Sequence, residues 1–519
     1  MDGIELSIFH GRMIALCEEM GAVLQRAALS PNIKDRRDFS CALFDPQGRL
    51  CAQAAHIPVH LGSMAYAMSG IVGSRSWSPG EMIVLNDPYL GGTHLPDVTV
   101  IAPVYVGPTS TLAGFIANRA HHADIGADAP GSMPLARTLE EEGIVIAPTR
   151  LVENDEVVTL TLNSISRALG NPVFAEADFV AQISANRVGV ARIVQWISVI
   201  GEDAYLRGLA AVNDYARTLV TQALATIPAG VYSFRDVMDG DGYGANDLPI
   251  MTTVHVTATG VQVDFSGTAG QVSGNINCPL AVTAAAVYYA VRCLFPAHTP
   301  DCAGSFDCIA LNVPSGSLLN ACRPAAVAAG NVETSMRIVD VLLGALAPAL
   351  PEVIPAASYG TMNNVAMGVR SPSGSWDYYE TIGGGMGAGA RGPGLSAVQA
   401  HMTNTQNTPI ESLEMHYPLR VCRYARRWNS GGRGKFDGGD GIIREYEFRS
   451  DTHVTLLTER RRHAPWGLAG GDAGAAGRNV LIHADGRSEE LPSKFTRYLA
   501  AGTRLRVETP GGGGWGAKP

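Results

Sequence analysis

The chain has 519 residues, 46 % of them hydrophobic, and a formal net charge of −9. This length can bury a large core, and the acidic balance, without a long basic run, gives no support for a nucleic-acid track. The nine cysteines are scattered without a CxxC pair, which is typical of reduced thiols in the cytoplasm. The N-terminus is unlike a signal peptide, and no apolar run is long enough to span a bilayer. We therefore expect a cytoplasmic protein that binds no nucleic acid and enters no membrane.

The first part of the chain predicts a helix and then two strands. Apolar positions at helical spacing favour a helix over residues 1–29. A strand that opens at Asp38 and a return strand that ends at Ala54 form an antiparallel pair around an Asp-Pro-Gln-Gly turn. His56 and His60 lie in the loop that follows. Both are candidate metal ligands or acid–base groups, and packing or substrate contact is the alternative role.

The stretch over residues 86–126 concentrates groups that could hold a metal. Two β-branched, apolar runs, 98–105 and 112–116, predict adjacent strands. If these strands pair as a hairpin, its open end brings their flanking side chains together, and Asp38 could reach the same place. Imidazole and carboxylate ligands at the end of a rigid sheet suit a divalent metal that activates water or a carbonyl. The alternative is that each residue only caps a strand or bonds the backbone. The flanking residues are His94, Asp97, His121, His122 and Asp124.

The rest of the chain mixes helices, strands and glycine-rich loops. Residues 174–227 are strongly helical, short antiparallel strands follow over 231–268, and further helices are predicted over 280–295 and from residue 334 to 346. We expect a mixed α/β fold of the α+β type, built mainly on antiparallel sheets with flanking helices. A Pro-Ala-Gly linker at residue 228 predicts two regions, 1–228 with the metal site and 229–519 with the glycine-rich loops.

Familiar nucleotide-binding and hydrolase motifs are missing from the sequence. It has no GxxxxGK[ST], no GxGxxG between a strand and a helix, no GxSxG and no HExxH. The glycine-rich run 383–389 could form an anion-binding nest of backbone N–H groups, with Gly384 and Gly385 in contact with substrate. A tight structural loop packed against another backbone is the alternative.

Long strings across nearly the whole chain carry a family resemblance. They include NDPYLGGTHLPD (86–97), NRAHHADIG (118–126), GNVETS (330–335), YETIGGGMGAGARG (379–392) and HMTNTQNTPIE (401–411). With these strings the chain resembles the hydantoinase B family, which contains the smaller subunit of ATP-dependent hydantoinases and lactamases and the C-terminal half of 5-oxoprolinases. The alpha-type subunits of acetone and acetophenone carboxylases belong to the same superfamily.

The resemblance implies one half of an ATP-dependent enzyme. In this family a larger A-type subunit, with an actin-like ATPase fold, phosphorylates the carbonyl oxygen of the substrate, and the B-type subunit completes the reaction. For hydantoin or lactam substrates, metal-activated water then opens the ring. We expect this chain to be the B-type half of an ATP-dependent cyclic-amide hydrolase of the N-methylhydantoinase or 5-oxoprolinase type. Its partner would be an A-type subunit in a hetero-oligomer.

The resemblance also implies a divalent metal, Zn, Mn or Fe, and a set of ligands. It assigns the metal to His94 and Asp97, to one histidine of the 121–122 pair, and to Asp38 as a fourth candidate. Consecutive side chains of a strand point to opposite faces, so we expect one member of the pair to bind and favour His121. His122 would then act as a base or contact the substrate.

The sequence assigns less specific roles to the remaining site candidates. His56, His60 and Asp124 are candidates for catalytic groups, and Asn404 and Thr405 for contacts to substrate or to the partner subunit, with a hydrogen-bonded loop as the alternative.

The chain also departs from the family pattern, and rival functions stay open. Many relatives carry an extra histidine where this chain has Gln399, which puts a second polar site around 399–407 in doubt. A subunit of an acetone- or acetophenone-type carboxylase and a non-catalytic scaffold for the A-type subunit are the rival functions.

Overall fold

The computed structural model describes residues 1–54, 57–60, 62–370 and 375–518. It confirms the predicted mixed α/β fold, with mainly antiparallel sheets and helices packed beside them. Among the described residues, no helix is both long and apolar enough to cross a membrane. The α-helices are α1 (Gly3–Ala27), α2 (Pro31–Lys34), α3 (Ser63–Ile71), α4 (Thr159–Arg167), α5 (Pro172–Ile200), α6 (Glu202–Leu224), α7 (Leu280–Arg292), α8 (Ala303–Phe306), α9 (Ser335–Leu346) and α10 (Ile410–His416).

A seven-stranded sheet carries the candidate site. Its strands are β1 (Phe39–Phe44), β2 (Leu50–Ala54), β3 (Met82–Leu85), β4 (Asp97–Val106), β5 (Thr111–His121), β6 (Thr149–Glu153) and β7 (Glu156–Val157). The spatial order is β2-β1-β5-β4-β3-β6-β7, and every neighbouring pair is antiparallel. The predicted hairpin is confirmed as β4 and β5, and its open end places Asp97 opposite His121.

Three smaller sheets follow in the second half of the chain. Their strands are β8 (Gly230–Gly240), β9 (Asn246–Val256), β10 (Val261–Asp264), β11 (Ile309–Asn312), β12 (Asn364–Val369), β13 (Trp376–Glu380), β14 (Leu419–Arg427), β15 (Gly441–Phe448), β16 (Thr452–Leu457), β17 (Arg478–Ile482), β18 (Ser488–Leu491), β19 (Lys494–Leu499) and β20 (Arg504–Glu508). The orders are β11-β10-β9-β8, β13-β12-β16-β19 and β14-β15-β20-β17-β18. The pairing of β10 with β11 is parallel.

One large hydrophobic cluster contains residues from both predicted regions. Phe115 and Leu224 precede residue 228, whereas Val254, Val287 and Leu342 follow it, and all five are buried in this cluster. Residues 1–228 and 229–519 therefore share apolar core, and the first sheet is supported from the second half of the chain.

The helix predicted from residue 334 is preceded by a π-helical turn. The turn covers Gly330–Thr334 and runs directly into α9. A Cβ on Gly330 would lie 1.9 Å from the carbonyl oxygen of Asn277, so this close backbone approach requires glycine. π-Turns inside helices are frequently found at functional sites. Here the turn brings Asn331 and Val332 to the cavity beside the predicted metal ligands.

The glycine-rich segments of the C-terminal part pack against one another through their backbones. A Cβ on Gly385 would lie 1.9 Å from the carbonyl oxygen of Gly439, and one on Gly511 would lie 1.9 Å from that of Ser430. These contacts leave no room for a side chain, which explains the density of glycine in this part of the sequence.

Candidate metal centre

Hairpin pairing and a tight turn bring four predicted ligands together. Asp97 opens β4, His121 closes β5, and the two are paired across the hairpin. The turn before β4 returns His94 to the same place, since the Asp97 N–H donates to the His94 carbonyl oxygen at 3.1 Å. Asp38 directly precedes β1, and its carbonyl oxygen accepts the N–H of His121 at 3.0 Å. Residues that are far apart in the sequence thus become neighbours at one sheet end.

Three possible ligand atoms of this group lie within 3.2 Å of one another. His94 Nε2 is 3.2 Å from His121 Nδ1, and Asp97 Oδ1 is 3.1 Å from the first nitrogen and 3.2 Å from the second. All three residues are buried. Ligand atoms held about 2.0–2.2 Å from one tetrahedral ion lie roughly 3.3–3.6 Å apart, so a spacing close to this range suits a shared metal ion.

The hydrogen bonding of this trio also fits a metal. Asp97 Oδ1 is buried, yet it accepts no hydrogen bond of good geometry from any described residue. A buried carboxylate oxygen without a partner is costly, and native proteins rarely tolerate one. A divalent cation would satisfy this oxygen and both ring nitrogens at once. Two imidazoles and a carboxylate are a donor set that Zn, Mn and Fe accept.

The second oxygen of Asp97 is held by two further side chains. Thr93 Oγ1 donates a short hydrogen bond to Oδ2, and His60 Nε2 lies 3.3 Å from the same atom. The other ring nitrogen of His60 contacts Ser40 Oγ at 3.0 Å. Asp38, His60 and Asp97 form a second trio whose potential ligand atoms lie close together. His60, predicted as a catalytic candidate, therefore lies at the ligand cluster itself.

The charges of the cluster stabilise one another. Burial alone would raise the pKa of Asp97, but the attraction of His94 and His60 outweighs burial and holds this pKa well below its usual range. Burial lowers the pKa of His121. Burial would also lower the pKa of His94, but Asp97 reverses the effect and the pKa is raised. Burial thus favours the neutral imidazole of His121, which is the form that binds metals.

Sequence reasoning did not single out two residues beside the ligands. The Tyr379 ring stacks on the imidazole of His121, with centroids 5.2 Å apart and planes 5° from parallel. The Arg36 guanidinium lies 4.6 Å from the centre of the same Tyr379 ring, and one of its nitrogens is 3.8 Å from Asp38. Tyr379 opens one of the strings that carry the family resemblance, but no spacing rule connects residue 36 with residue 379.

A cavity of about 20 Å³ adjoins the ligands. A water molecule needs roughly 10–15 Å³ measured in this way, so the space suits an ion or a water rather than a ring-shaped substrate. Besides the ligands, it is lined by Ile57, Val59, Asn331, Val332, Met362, Tyr379, Thr381, Met402, Thr403 and Thr405.

The structure does not bring His122 and Asp124 to this cavity. His122 Nε2 is 3.0 Å from Gln182 Oε1, and its ring packs on Phe179 of α5. Asp124 accepts hydrogen bonds from the N–H groups of Gly126 and Gly170. Asp124 therefore stabilises loops, and both residues line a separate, larger cavity.

The predicted substrate contacts divide in the same way. Thr405 lines the cavity beside the ligands and is 2.7 Å from the Thr381 hydroxyl, whereas Asn404 is exposed. Gly384 and Gly385 donate their N–H groups to the backbone carbonyls of Val398 and Pro510. Because these N–H groups are already used, the two glycines fit the tight structural loop and not an anion nest. His56 lies outside the described residues.

Comparison with known proteins shows the family of the chain. The family described as Hydantoinase B/oxoprolinase matches residues 2–518. The chain is 38 % identical to 5-oxoprolinase 1 of Arabidopsis thaliana over 99 % of its own length, but it spans only 42 % of that relative. It is 31 % identical to the B-type subunit of a putative D-/L-hydantoinase of Pseudomonas sp., with 99 % of this chain and 90 % of the relative covered. The crystal structure of an ATP-dependent caprolactamase from Pseudomonas jessenii superposes with a TM-score of 0.92 at 26 % identity, covering 100 % of this chain and 91 % of that one.

Proposed function

The chain belongs to the hydantoinase B/oxoprolinase family, and from this membership we propose that it hydrolyses a cyclic amide at the centre formed by His94, Asp97 and His121. The observation that carries the proposal is the convergence of two ring nitrogens and a carboxylate oxygen within 3.2 Å at a buried sheet end. In the net reaction, the oxygen of water bonds to the carbonyl carbon, the C–N bond breaks, and the ring nitrogen takes up a proton.

The residues of the centre have distinct roles in this proposal. His94, Asp97 and His121 would hold a divalent metal, with Asp38 as a fourth candidate. Such a metal, when bound, supplies Lewis acidity toward water and a carbonyl group. His60 and Thr93 contact the second oxygen of Asp97 and fix its orientation, as outer partners do in many metal sites.

The hydroxyl groups that line the cavity would orient the amide edge of the substrate; because the cavity of about 20 Å³ holds only an ion or a water, the ring can approach only when the lining side chains move apart. Thr381 and Thr405 are 2.7 Å apart, and Thr403 is 3.3 Å from Thr405. Hydroxyl groups both donate and accept hydrogen bonds, which suits the carbonyl and N–H of an amide. Asn331 lines the same cavity, and its buried Oδ1 has no hydrogen-bond partner among the described residues. It is therefore available to accept an N–H of the ring.

An ATP-consuming partner is part of the proposed reaction. Similar proteins include the B-type subunit of a putative hydantoinase and an ATP-dependent caprolactamase, and the sequence of this chain has no familiar phosphate-binding loop. We propose that an A-type subunit transfers the terminal phosphate of ATP to the amide carbonyl oxygen. Addition of water to the carbonyl carbon and breakage of the C–N bond then give an acyl phosphate and the amine, and a second water releases phosphate from the acyl phosphate to leave the carboxylate. This chain would then complete the ring opening in a hetero-oligomer.

Metal content and turnover together test the proposal. The wild-type chain, His94→Ala and the matched control His298→Ala, an exposed histidine in the turn region after α7, are compared by elemental mass spectrometry. Ring opening of hydantoin, 5-oxoproline and a lactam is then measured with ATP and the A-type subunit. We expect about one metal per chain and turnover in the wild type and the control, and loss of both in His94→Ala.

Three results would contradict the proposal. A chain that opens rings without any bound metal would remove the proposed role of the centre. Full activity in a variant carrying both His94→Ala and Asp97→Ala would favour the alternative that this chain is a non-catalytic scaffold for the A-type subunit. ATP turnover that depends on bicarbonate and a ketone would favour the alternative that this chain is a subunit of an acetone- or acetophenone-type carboxylase.

A further inference from the structure

A second cavity lies on the other side of the end of β5. Its volume is about 440 Å³, within the range of roughly 300–1,000 Å³ that is usual for small-molecule sites. His122 lines this cavity, whereas its neighbour His121 lines the small cavity at the metal centre. Ser30 and Thr408, which are far apart in the sequence, also line the larger cavity.

Three buried polar groups of this cavity have no hydrogen-bond partner among the described residues. They are Ser30 Oγ, His122 Nδ1 and Thr408 Oγ1. The three residues are only 0 %, 1 % and 3 % exposed. Native proteins satisfy nearly all buried polar groups, and an unsatisfied group calls for an explanation. Three such groups around one cavity of ligand size indicate that a ligand supplies the missing partners.

The contacts of His122 define what this residue offers. Gln182 uses its amide nitrogen to donate to the Val98 carbonyl oxygen and to Asn118 Oδ1, both at 2.9 Å. Its Oε1 is therefore an acceptor, and the Nε2 of His122 at 3.0 Å must be the donor. In the neutral imidazole this leaves Nδ1 as a bare acceptor. A ligand that brings an N–H or O–H donor would satisfy it.

The remaining lining selects a neutral ligand with an apolar body. Carboxylates outnumber cationic side chains in the lining: Lys34 is the one lysine or arginine among the described lining residues, against the carboxylates of Asp35, Asp124, Asp178 and Asp377. Arg370 pairs with Asp124 at 3.2 Å and offsets one of these charges. An anionic ligand would meet this negative field unfavourably. Apolar surface is provided by the lining aromatic residues Phe174, Trp376 and Tyr417.

We propose that this cavity binds a neutral cyclic amide without a carboxylate group, with its N–H on His122 Nδ1 and its carbonyl oxygen on the hydroxyls of Ser30 and Thr408. A secondary amide in a ring holds its N–H and C=O on the same side, so one edge of the molecule presents both groups to these three atoms. The inference rests on the proposed function, because it assumes that the bound ligand is the substrate of the ring-opening reaction.

The position of the cavity supports a role in supplying the metal centre. A third cavity of about 10 Å³ shares Pro31, Ala123, Asp377 and Tyr417 with the large cavity. It also shares Tyr379 with the cavity at the metal centre. The third cavity therefore adjoins both the large cavity and the cavity at the metal centre. The ring of Tyr379, which stacks on His121, lies between the third cavity and the metal centre.

Binding measurements on a matched pair of ligands test the inference. Hydantoin and hydantoin-5-acetate have the same ring and differ by one carboxymethyl group, which carries the negative charge. Their dissociation constants are measured by ligand-observed NMR titration with the wild type, Ser30→Ala, Thr408→Val and the control Ser184→Ala, whose hydroxyl already donates to a backbone carbonyl on the exposed face of α5. The same titrations in the His94→Ala protein separate binding here from binding at the metal centre.

We expect hydantoin to bind at least about tenfold more tightly than its acetate derivative. Ser30→Ala and Thr408→Val should each weaken hydantoin binding by about five- to tenfold, and His94→Ala and Ser184→Ala should not change it. The inference is overturned if hydantoin does not bind, if the acetate binds equally well, or if both hydroxyl variants bind like the wild type. Turnover without these binding effects would refute this site alone, whereas these binding effects without metal-dependent turnover would refute the proposed function alone.

Discussion

His121 and His122 are consecutive residues, but their imidazoles face different partners on opposite sides of the sheet end. His121 Nδ1 lies 3.2 Å from Asp97 Oδ1, whereas His122 Nε2 lies 3.0 Å from Gln182 Oε1 of α5. Alternation of side chains along a strand explains the division. One strand end therefore serves two cavities, and substitution of the two histidines should have separable effects on metal binding and on ligand binding.

Thr93→Val tests the support of the metal ligand Asp97. Valine has nearly the same shape as threonine but cannot donate the short hydrogen bond to Asp97 Oδ2. We expect the metal dissociation constant to rise by about 10- to 100-fold, as is typical for the loss of an outer partner. Competition with a chromogenic chelator measures this change. Thr111→Val, at the other end of β5, is the matched control, and equal affinity in both variants would rule out a role for Thr93.

Glu333→Gln tests the effect of a buried carboxyl group on stability. Burial raises the pKa of Glu333 to about 8, and the neighbouring Glu459 adds to the rise, while Lys494 and Arg461 oppose it. The ordinary pKa is 4.5. Between these values the folded chain holds a proton that the unfolded chain releases. The stability contribution of Glu333 is therefore complete below pH 4.5 and is lost as the pH rises toward 8.

Glutamine should remove this pH dependence and keep the local contacts. Its amide oxygen can still accept the hydrogen bonds that Met362 N–H and Asn364 Nδ2 donate to Glu333 Oε1. The stability of the wild type relative to Glu333→Gln should fall by up to about 1.4 kcal/mol per pH unit between pH 4.5 and 8. Urea unfolding at intervals across this range measures the difference. A difference that stays constant with pH would show that Glu333 is ionised throughout.

Gly385→Ala tests the backbone packing of the glycine-rich segments. The new Cβ would lie 1.9 Å from the Gly439 carbonyl oxygen and 2.5 Å from the Gly512 nitrogen, and backbone atoms cannot move aside as a side chain can. We expect a loss of more than about 4 kcal/mol or failure to fold. Gly392→Ala is the control, since no heavy atom beyond its chain neighbours lies within 4 Å of the Cβ position. Thermal unfolding should separate the two variants, and similar midpoints would disprove the steric argument.

Local patterns in the sequence predict much of the fold. The apolar spacing over residues 1–29 predicts α1, and the chain forms it as Gly3–Ala27 with an Asp2 capping box. The two β-branched runs predict the hairpin of β4 and β5, and pairing follows because few residues separate the strands. The helical periodicity over 174–227 corresponds to α5 and α6. Each of these features depends on neighbours along the chain, so sequence reasoning can reach it.

The family, the hairpin, the residue types at its open end and the opposite directions of His121 and His122 can all be predicted from local sequence patterns. The contact of His60 with Asp97, the stacking of Tyr379 on His121 and the cavity that His122 lines are evident only in the folded chain. These features join elements that are distant along the chain, and no local pattern connects such elements. Hydrophobic periodicity predicts which face of an element is buried, but it cannot identify the partner that buries it.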